Sequence, residues 1–317
     1  MNLGADALDS FREQMNEFFV GKGDTVDNVL CCFLAGGHVL LEDVPGVGKT
    51  TLARTFAGSL GLSFGRIQFT PDTMPGDVTG MSVYDMKNGE FKFRPGGVMN
   101  NIVLADELNR TSPKTQSALL EAMAESQVTV DGQVYQLPQP FMVIATQNPI
   151  SFSGTYPLPE AQLDRFMMRL SVGYPSAEEE LRLARDNMEG RSIKDVKAVL
   201  NAEDVTCFRQ KVAEVHVSDG MLQYVQQIVA ATRSDGAFSL GASPRAMLHL
   251  LQAARAKAFL EGRSYIKPDD VKKMAVPVLS HRLILTTQMR LQKKEASALL
   301  EALILKVNIP MEADHEK

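Results

Sequence analysis

The sequence predicts an α/β fold in which helices cover a parallel sheet and a helical region follows. Up to Gly173, apolar strand-like runs alternate with helix-like runs, which is the pattern of a parallel sheet with helices on its faces. Beyond Pro175, strand signals nearly vanish and one helical pattern follows another. The chain has 317 residues, enough for two domains with cores of their own. We therefore expect an α/β domain at 1–175 and a helical domain at 176–317.

A glycine-rich loop follows the strand-like run 38–41 and precedes a helix-like run at 52–60. Backbone N–H groups in such a loop, and the positive end of the helix dipole, face an anion. Gly46 and Gly48 let the backbone approach a phosphate that a Cβ atom would crowd. The sequence therefore predicts a phosphate-binding loop. Its predicted contact residues are Val44, Pro45, Gly46, Val47, Gly48, Lys49, Thr50 and Thr51.

Two side chains of the loop suit a nucleoside triphosphate. Lys49 can reach the β- and γ-phosphates, and the Thr50 hydroxyl can hold Mg²⁺. The full pattern has a glycine five residues before Gly48, where this chain has Asp43. Because the strict motif fails at that position, the prediction of a triphosphate site needs a second indication.

The second indication is an apolar run, 102–105, that is followed by Asp106 and Glu107. A buried parallel strand reads as a continuous apolar run, and ligands bind at the carboxyl ends of such strands. Asp106 would therefore lie where a phosphate-bound Mg²⁺ needs an oxygen ligand, and Glu107 could polarise the attacking water. An isolated Asp-Glu pair after a strand is more often the start of a solvated loop. The preceding Gly-Lys-Thr loop favours the functional interpretation.

A third strand-like run, 141–146, is followed by Gln147 and Asn148. The Asn148 amide can bridge a γ-phosphate and the attacking water by hydrogen bonds. Asparagine before a proline is also typical of a turn, and the residue on its own favours that interpretation. Asn148 is therefore a candidate that depends on the two preceding motifs.

Two β-hairpins interrupt the α/β pattern. Asn88-Gly89 and Asp131-Gly132 are both strong signals for a tight hairpin turn. Exposed loops on a rigid scaffold often carry binding contacts, and surface decoration is the alternative. The predicted hairpin strands are residues 79–85 and 90–94, then 128–130 and 133–137.

Helical patterns fill the second half of the chain. Ser176 and Glu179 form a capping box that opens the first of these helices. Ser243 suits an N-cap and Pro244 the first helical position, which puts Arg245 in the first turn. An arginine there opposes the helix dipole, which a bound phosphate would explain; an ordinary exposed arginine is the alternative. The other predicted helices are 203–214, 218–233, 244–261, 268–279 and 294–305.

Composition argues against several classes of protein. A net charge of −5 and a pI of about 5.6 weigh against a dedicated nucleic-acid binder. No apolar run approaches the ~20 residues of a membrane helix, and the N-terminus does not resemble a signal peptide. Cys31, Cys32 and Cys207 have no metal-ligand spacing, so a reducing cytosol is the simplest inference. His38 and His281 have no ligand-spaced partners, and we interpret both as structural.

The order of the motifs resembles the MoxR branch of the AAA+ ATPases over about residues 18–281. The phrases that carry the resemblance are GVGKT, VLADELNR, ATQNP, GTYPLPEAQLDRF and SPR. In that family an aspartate or another residue commonly replaces the first loop glycine, so Asp43 is compatible with the resemblance. The resemblance implies an AAA+ P-loop nucleotide-binding core with a parallel sheet and β-hairpin inserts, followed by an all-helical lid domain. It also implies ATP and Mg²⁺ as cofactors, and hydrolysis of ATP to ADP and phosphate.

The resemblance assigns further roles. Asn148 matches sensor 1, Arg245 matches sensor 2, and Arg165 matches the arginine finger that reaches a neighbouring subunit's nucleotide. Arg110 and Arg169 lie near the same motifs, and spacing excludes neither as the finger. The hairpins resemble the helix-2 insert and the pre-sensor-1 hairpin, which commonly line the pore of a ring. The resemblance thus implies a homo-oligomer, with a hexameric ring as the expected form, whose protein client often carries a von Willebrand factor A domain. The cysteine usage and the N-terminus add the expectation of a cytoplasmic location.

Three functions fit these observations. The first is a ring-forming ATPase that drives remodelling, maturation or metal or cofactor insertion of partner proteins. The second is a nucleic-acid-dependent motor, against which the acidic charge balance counts. The third is a non-hydrolysing, nucleotide-dependent scaffold, against which the presence of Lys49, Asp106, Glu107, Asn148 and Arg165 counts. We favour the first, and expect neither a nucleic-acid partner nor membrane insertion.

Overall fold

The computed structural model describes residues 3–21, 23–148, 155–190 and 192–309. These residues form two compact units that interleave along the chain. The sheet unit comprises Met1–Leu30, His38–Arg165 and Leu170–Cys207, as far as these ranges are described. The helical unit comprises, with the same restriction, Cys31–Gly37, Phe166–Arg169 and Phe208–Lys317. The domain boundary after residue 175 stays a prediction from the sequence.

Strands are concentrated before residue 171. In chain order they are β1 (Val39–Glu42), β2 (Phe64–Gln68), β3 (Gly80–Asp85), β4 (Glu90–Pro95), β5 (Ile102–Asp106), β6 (Gln127–Val130), β7 (Gln133–Gln136), β8 (Met142–Gln147), β9 (Met168–Leu170), β10 (Phe238–Leu240) and β11 (Ile284–Leu285).

Helices occur throughout the described ranges. The α-helices are α1 (Leu3–Phe18), α2 (Gly23–Leu34), α3 (Lys49–Ser59), α4 (Pro75–Thr79), α5 (Pro113–Glu125), α6 (Glu160–Leu163), α7 (Ala177–Met188), α8 (Ala202–Glu214), α9 (Asp219–Ser234), α10 (Pro244–Leu260), α11 (Pro268–Leu279), α12 (Thr287–Leu291) and α13 (Ala296–Ile304). Short 3-10 turns occupy Leu108–Arg110, Ile193–Asp195 and Ser280–Arg282. None of the helices in the described ranges is both long enough and apolar enough to cross a bilayer.

Five strands form the central sheet in the order β2-β5-β8-β1-β9. The pairings β2 with β5, β5 with β8 and β8 with β1 are all parallel. The apolar residues of β1, β5 and β8 are fully buried, as expected for strands covered on both faces. Parallel pairing aligns the carboxyl ends of these strands, with Glu42 opposite Gln147 and Gln68 opposite Asp106. This edge of the sheet carries the candidate site.

Two strands of this sheet escaped the sequence analysis. β2 has a polar or small residue at three of its five positions and only Ile67 is buried, so it lacks the apolar run of a central strand. β9 has three residues, too few for a periodic signal. Both lie at the ends of the strand order, where one side of a strand has no partner in the sheet.

The loop-to-helix junction forms as predicted, except that the helix begins earlier. α3 starts at Lys49, three residues before the predicted apolar run, because Gly48 turns the chain in the left-handed region just before it. The apolar pattern missed the first turn since Lys49, Thr50 and Thr51 are not apolar.

Both predicted hairpins are present. β3 pairs antiparallel with β4, and β6 with β7. Gly89, at the first turn, has a positive φ, as do Asp131 and Gly132 at the second. The rings of Phe93 and Tyr135 stack with centroids 3.8 Å apart, so the two hairpins touch each other. The parallel sheet, the inserted hairpins and the following helices confirm the predicted fold class.

The helical unit follows the predicted helix pattern closely. The Ser243 side chain accepts a hydrogen bond from the Ala246 amide, which caps α10 as expected. The short antiparallel pair of β10 and β11 is an addition to the expected helices, since strands of three and two residues leave no periodic signal. His281 is buried, and its Nε2 lies 3.1 Å from the Phe166 carbonyl oxygen. Burial and the neighbouring Arg282 lower the pKa of His281 well below its ordinary value, so the ring is neutral and structural.

The sheet unit contains the predicted capping box and the other histidine that we interpreted as structural. Ser176 accepts from the Glu179 amide, and Glu179 accepts from the Ser176 amide, at the start of α7. His38 is buried, its Nδ1 accepts from the Val143 amide, and its Nε2 lies 3.1 Å from the Met123 carbonyl oxygen. Backbone partners at both ring nitrogens leave neither available to a metal.

Candidate nucleotide-binding site

A cavity of about 410 Å³ opens where the phosphate loop meets the carboxyl ends of the sheet strands. Every residue that lines it belongs to the sheet unit. The cavity brings together three motifs that are separated by about 55 and 40 residues in the sequence. Its lining residues are Pro45, Gly46, Gly48, Lys49, Thr50, Arg66, Gln68, Asp106, Glu107, Thr146, Gln147 and Asn148.

The loop backbone has the conformation that only glycine adopts without strain. Gly46 has φ 89° and Gly48 has φ 85°, both in the left-handed region. α3 begins directly after Gly48. The N–H groups in the first turn of a helix have no partner within the helix and form an anion site. Val44, Val47 and Thr51 are not part of the cavity lining, so the prediction for them concerns backbone N–H groups.

The Lys49 ammonium lies inside this loop. Its Nζ donates to the Asp43 carbonyl oxygen at 2.7 Å. Burial lowers the pKa of Lys49, and the nearby carboxylates Asp43, Asp106 and Glu107 oppose that shift. A phosphate would add a further negative partner to a charge that the protein has already brought out of bulk water.

Asp106 ends β5 with both carboxylate oxygens engaged. Its Oδ1 accepts from the Thr146 hydroxyl at 2.7 Å, and its Oδ2 accepts from the Arg66 guanidinium at 2.7 Å. Thr146 comes from the neighbouring strand β8, and Arg66 comes from β2 on the other side. The strand neighbours thus orient the carboxylate that the sequence predicts as a metal ligand.

Glu107 follows in a conformation that is uncommon for a residue with a side chain. Its φ of 58° and ψ of 46° lie in the left-handed region, and its amide donates to the Thr146 hydroxyl at 2.8 Å. Its Oε2 accepts from Gln68 at 3.0 Å and from Arg110 at 2.9 Å. Strained backbone of this kind clusters at functional sites. The single hydroxyl of Thr146 therefore positions two consecutive acidic residues.

The sequence analysis missed Arg66, Gln68 and Thr146 as residues of the site. The first two lie on β2, which had not been recognised, although they occupy alternate positions of Phe64–Gln68 as side chains on one face of a strand do. Thr146 was placed on its strand, but a hydroxyl among apolar residues gives no sign of its partner 40 positions earlier.

The remaining predicted residues lie partly at the cavity and partly elsewhere. Asn148 lines the cavity, and its carbonyl oxygen lies 3.4 Å from the Asn109 amide nitrogen; the residues that follow it, 149–154, lie outside the described ranges. Arg165 donates to the Leu120 carbonyl oxygen at 2.8 Å. Arg110 pairs with Glu107, and Arg169 lies in the middle of β9. Arg245 occupies the first turn of α10 in the helical unit, as predicted.

Comparison with known proteins places the chain in a family. Residues 38–168 match the family model described as ATPase family associated with various cellular activities (AAA), and residues 230–303 match the AAA lid domain. The chaperone MoxR1 of Mycobacterium tuberculosis is 43% identical over 282 residues, which cover 86% of this chain and 74% of that protein. The protein MoxR of Paracoccus denitrificans is 32% identical, over 93% of this chain and 94% of the relative.

A solved structure has the same fold over nearly the whole chain. The crystal structure of a candidate ATPase from Cytophaga hutchinsonii superposes with a TM-score of 0.91 at 37% identity, covering 97% of this chain and 96% of that one. The phosphate loop and the acidic pair after β5 lie within the residues matched by the AAA family model, and α10 and α11 lie within those matched by the lid model. The chain belongs to the MoxR family of AAA+ ATPases.

Proposed function

We propose that this protein binds ATP with Mg²⁺ in the sheet-edge cavity and hydrolyses it to drive conformational change in partner proteins. The observation that carries the proposal is the convergence of Lys49, from the phosphate loop, and of Asp106 and Glu107, from the end of β5, on one cavity. A cation for phosphate, an acidic metal ligand and a carboxylate for water are the parts that phosphoryl transfer to water needs.

The donor set of the cavity suits Mg²⁺. Thr50 and Asp106 both line it and offer the hard oxygen atoms that this ion prefers. Among the described residues there is no group of three or more His, Cys, Asp or Glu side chains that would hold a metal alone. Mg²⁺ typically binds through one or two protein ligands together with substrate phosphates and water. Bound there, it would neutralise charge on the transferred phosphoryl group.

The chain's own residues perform the other parts of the reaction. Lys49 exchanges the Asp43 carbonyl for phosphate oxygens, and the loop N–H groups bind the same anion. Glu107 accepts the proton of the attacking water through its carboxylate, whose Oε2 also accepts from Gln68 and Arg110. Asn148 orients the water and the γ-phosphate by its amide. Arg245, at the start of α10, is the proposed sensor 2.

Assembly completes the proposed site. An arginine is suited to reach a neighbour's nucleotide because its planar, permanently charged group offers several donors to phosphoryl oxygens. We assign this role to Arg165, which the family resemblance favours over Arg110 and Arg169. A head-to-tail interface that closes gives a ring, and we propose a hexamer. We propose that the client is a protein with a von Willebrand factor A domain. We also propose a cytoplasmic location for the assembly.

The client-binding surface is proposed to lie on the two hairpins. Large apolar side chains are exposed along the first hairpin, and Phe91 and Met86 are 73% and 88% exposed. The Tyr84 ring lies beside the Phe91 ring, with centroids 5.2 Å apart and the ring planes tilted by 60°. Exposed apolar groups on protruding strands favour contact with another polypeptide.

A subunit-mixing experiment tests hydrolysis and the trans arginine together. Arg165→Ala subunits keep a sound phosphate loop but offer no finger, and Lys49→Ala subunits offer a finger but bind no ATP. Each variant alone should release phosphate at a rate reduced by orders of magnitude. The mixture should recover part of the wild-type rate, at interfaces where a Lys49→Ala subunit presents Arg165 to an Arg165→Ala site.

Three outcomes would contradict parts of the proposal. Absence of phosphate release by the wild-type ring would refute hydrolysis. A mixture that exchanges subunits but stays inactive, while Arg110→Ala or Arg169→Ala complements Lys49→Ala, would move the finger to that arginine. A wild-type rate per subunit that stays constant on dilution to demonstrated monomers would refute the trans mechanism.

A further inference from the structure

Asp43 is a buried carboxylate at the position where the strict phosphate-loop motif has glycine. Only 6% of its surface is exposed. Its Oδ1 accepts from the Ser171 hydroxyl at 2.7 Å and from the Gly173 amide at 3.1 Å, and its Oδ2 accepts from the Val172 amide at 2.6 Å. All three donors belong to one stretch of chain that directly follows β9.

This arrangement compensates the cost of burying a charge. An isolated buried carboxylate is strongly unfavourable, whereas one that accepts several short hydrogen bonds is stable. The three donors are consecutive residues, 128 to 130 positions away in the sequence, so Asp43 closes a long-range link. Both ends of the link lie in the sheet unit.

The backbone of the same residue contacts the loop lysine. The Asp43 carbonyl oxygen accepts from Lys49 Nζ at 2.7 Å, and the Asp43 amide continues the pairing of β1 with β8 at the Gln147 carbonyl. Asp43 therefore bonds to the lysine through its backbone and to residues 171–173 through its side chain. A glycine at this position would keep the first contact and lose the second entirely.

We propose that Asp43 is a positioning residue, which holds the phosphate loop in its nucleotide-binding shape by fastening its first residue to Ser171, Val172 and Gly173. The inference rests on the proposed nucleotide binding at this loop. In the strict phosphate-loop motif, the glycine at this position lets the backbone turn. In this chain the loop begins at a residue whose side chain is hydrogen-bonded to residues 171–173. Replacing aspartate by glycine completes the strict motif but removes the anchor, so affinity for nucleotide falls.

The test measures the dissociation constant for ADP by calorimetry, at a temperature well below the unfolding transition. Asp43→Gly, which restores the strict motif, should raise the dissociation constant by about tenfold or more, equal to about 1.4 kcal/mol. Asp43→Asn keeps the shape but sets an amide N–H₂ against one of the three donors, and should weaken binding similarly. In both variants the Val172 and Gly173 amides should exchange hydrogen faster than in the wild type.

Asn101→Asp is the matched control. Asn101 lies immediately before β5, at the opposite end of the strand from Asp106, and its side chain also makes three hydrogen bonds, two from Ser63 and one to Pro140. The control places a carboxylate oxygen against the Pro140 carbonyl oxygen, an acceptor–acceptor mismatch that is the converse of the donor–donor mismatch in Asp43→Asn. It should lower the melting temperature without changing the ADP dissociation constant.

Each result decides the inference. Wild-type affinity in Asp43→Gly or Asp43→Asn overturns it, and so does an equal loss in Asn101→Asp. If neither Asp43 variant folds, Ser171→Ala removes one donor only and should raise the dissociation constant about two- to threefold; unchanged affinity in that variant then overturns it. A wild-type protein that binds no ADP refutes the proposed function instead.

Discussion

Two arginine–carboxylate pairs of nearly equal length lie in very different surroundings. In the sheet unit, Arg66 and Asp106 are 2.7 Å apart, and their side chains are 47% and 14% exposed. In the helical unit, Arg263 and Asp270 are 2.6 Å apart, with side chains 16% and 2% exposed. Distance alone would rank the two pairs as equals, whereas burial separates them.

The pair in the helical unit is closed, by which we mean that both side chains are largely buried and both carboxylate oxygens are hydrogen-bonded within the protein. Asp270 accepts from both terminal nitrogens of Arg263 and from the Lys267 amide, so both of its oxygens are occupied within the connection between α10 and α11. Glu261 binds the same guanidinium at 2.8 Å, and that contact lowers the pKa of Glu261 to about 2. Such a network rigidifies a connection and offers no group to a ligand.

The pair in the sheet unit is open, by which we mean that one partner is exposed and lines a cavity. Arg66 lines the cavity with half of its side chain in solvent, and long exposed side chains of this kind change rotamer readily. Arg66 and Arg110, which bind Asp106 and Glu107, have side chains that are 47% and 54% exposed, so either arginine can leave its carboxylate without becoming a buried unpaired charge. From this comparison we infer that a carboxylate that binds a ligand is paired with exposed side chains, which the ligand can displace. A carboxylate with a structural role is paired with largely buried side chains.

The largest effect that the comparison predicts is on chemistry. Glu107→Gln should lower the turnover number by about 10² to 10³-fold, because the amide cannot accept the proton of the attacking water. The affinity for ATP and the melting temperature should stay near the wild-type values, since an amide oxygen still accepts from Gln68 or Arg110. Calorimetry and phosphate release measure these separately. Near-normal turnover would show that Glu107 is not the catalytic carboxylate.

Asp270→Ala should give the opposite result. Leaving Arg263 without its buried partner should lower the free energy of unfolding by about 3 kcal/mol, the lower end of the range for such pairs because Glu261 remains. Nucleotide affinity at low temperature should be unchanged. Denaturant titration gives the stability, with Asp269→Ala as the control, since the Asp269 side chain is 79% exposed. Equal stability losses in the two variants would remove the distinction between closed and open pairs.

Arg66→Ala is predicted to have a much smaller effect on stability than Asp270→Ala. Exposed ion pairs contribute about 1 kcal/mol or less, so the melting temperature should shift by only a few degrees. A loss of stability as large as that of Asp270→Ala would show that the Arg66–Asp106 pair is structural, and the comparison would fail. Thermal melts of the two variants under the same conditions decide between these outcomes.

Some contacts of the site could be read from neighbouring residues alone. Gly46, Gly48, Lys49 and Thr50 form a loop whose chemistry follows from consecutive residues, and a short apolar run ending in Asp106 and Glu107 marks a buried strand. Caps such as Ser243 are equally local, because donor and acceptor lie three residues apart. The fold class followed from these signals together with the hairpin dipeptides.

Local sequence could not supply the partners that set the behaviour of these groups. The Asp43 link to Ser171–Gly173, the Thr146 hydroxyl under Asp106 and the Arg66 contact all join residues 40 or more positions apart. Such pairs exist only after parallel strands have aligned their carboxyl ends. The sequence by itself thus determined the residues of the phosphate loop and the acidic pair. Tertiary structure alone decided what holds them, because strand order and burial, which set those contacts, are properties of the assembled sheet.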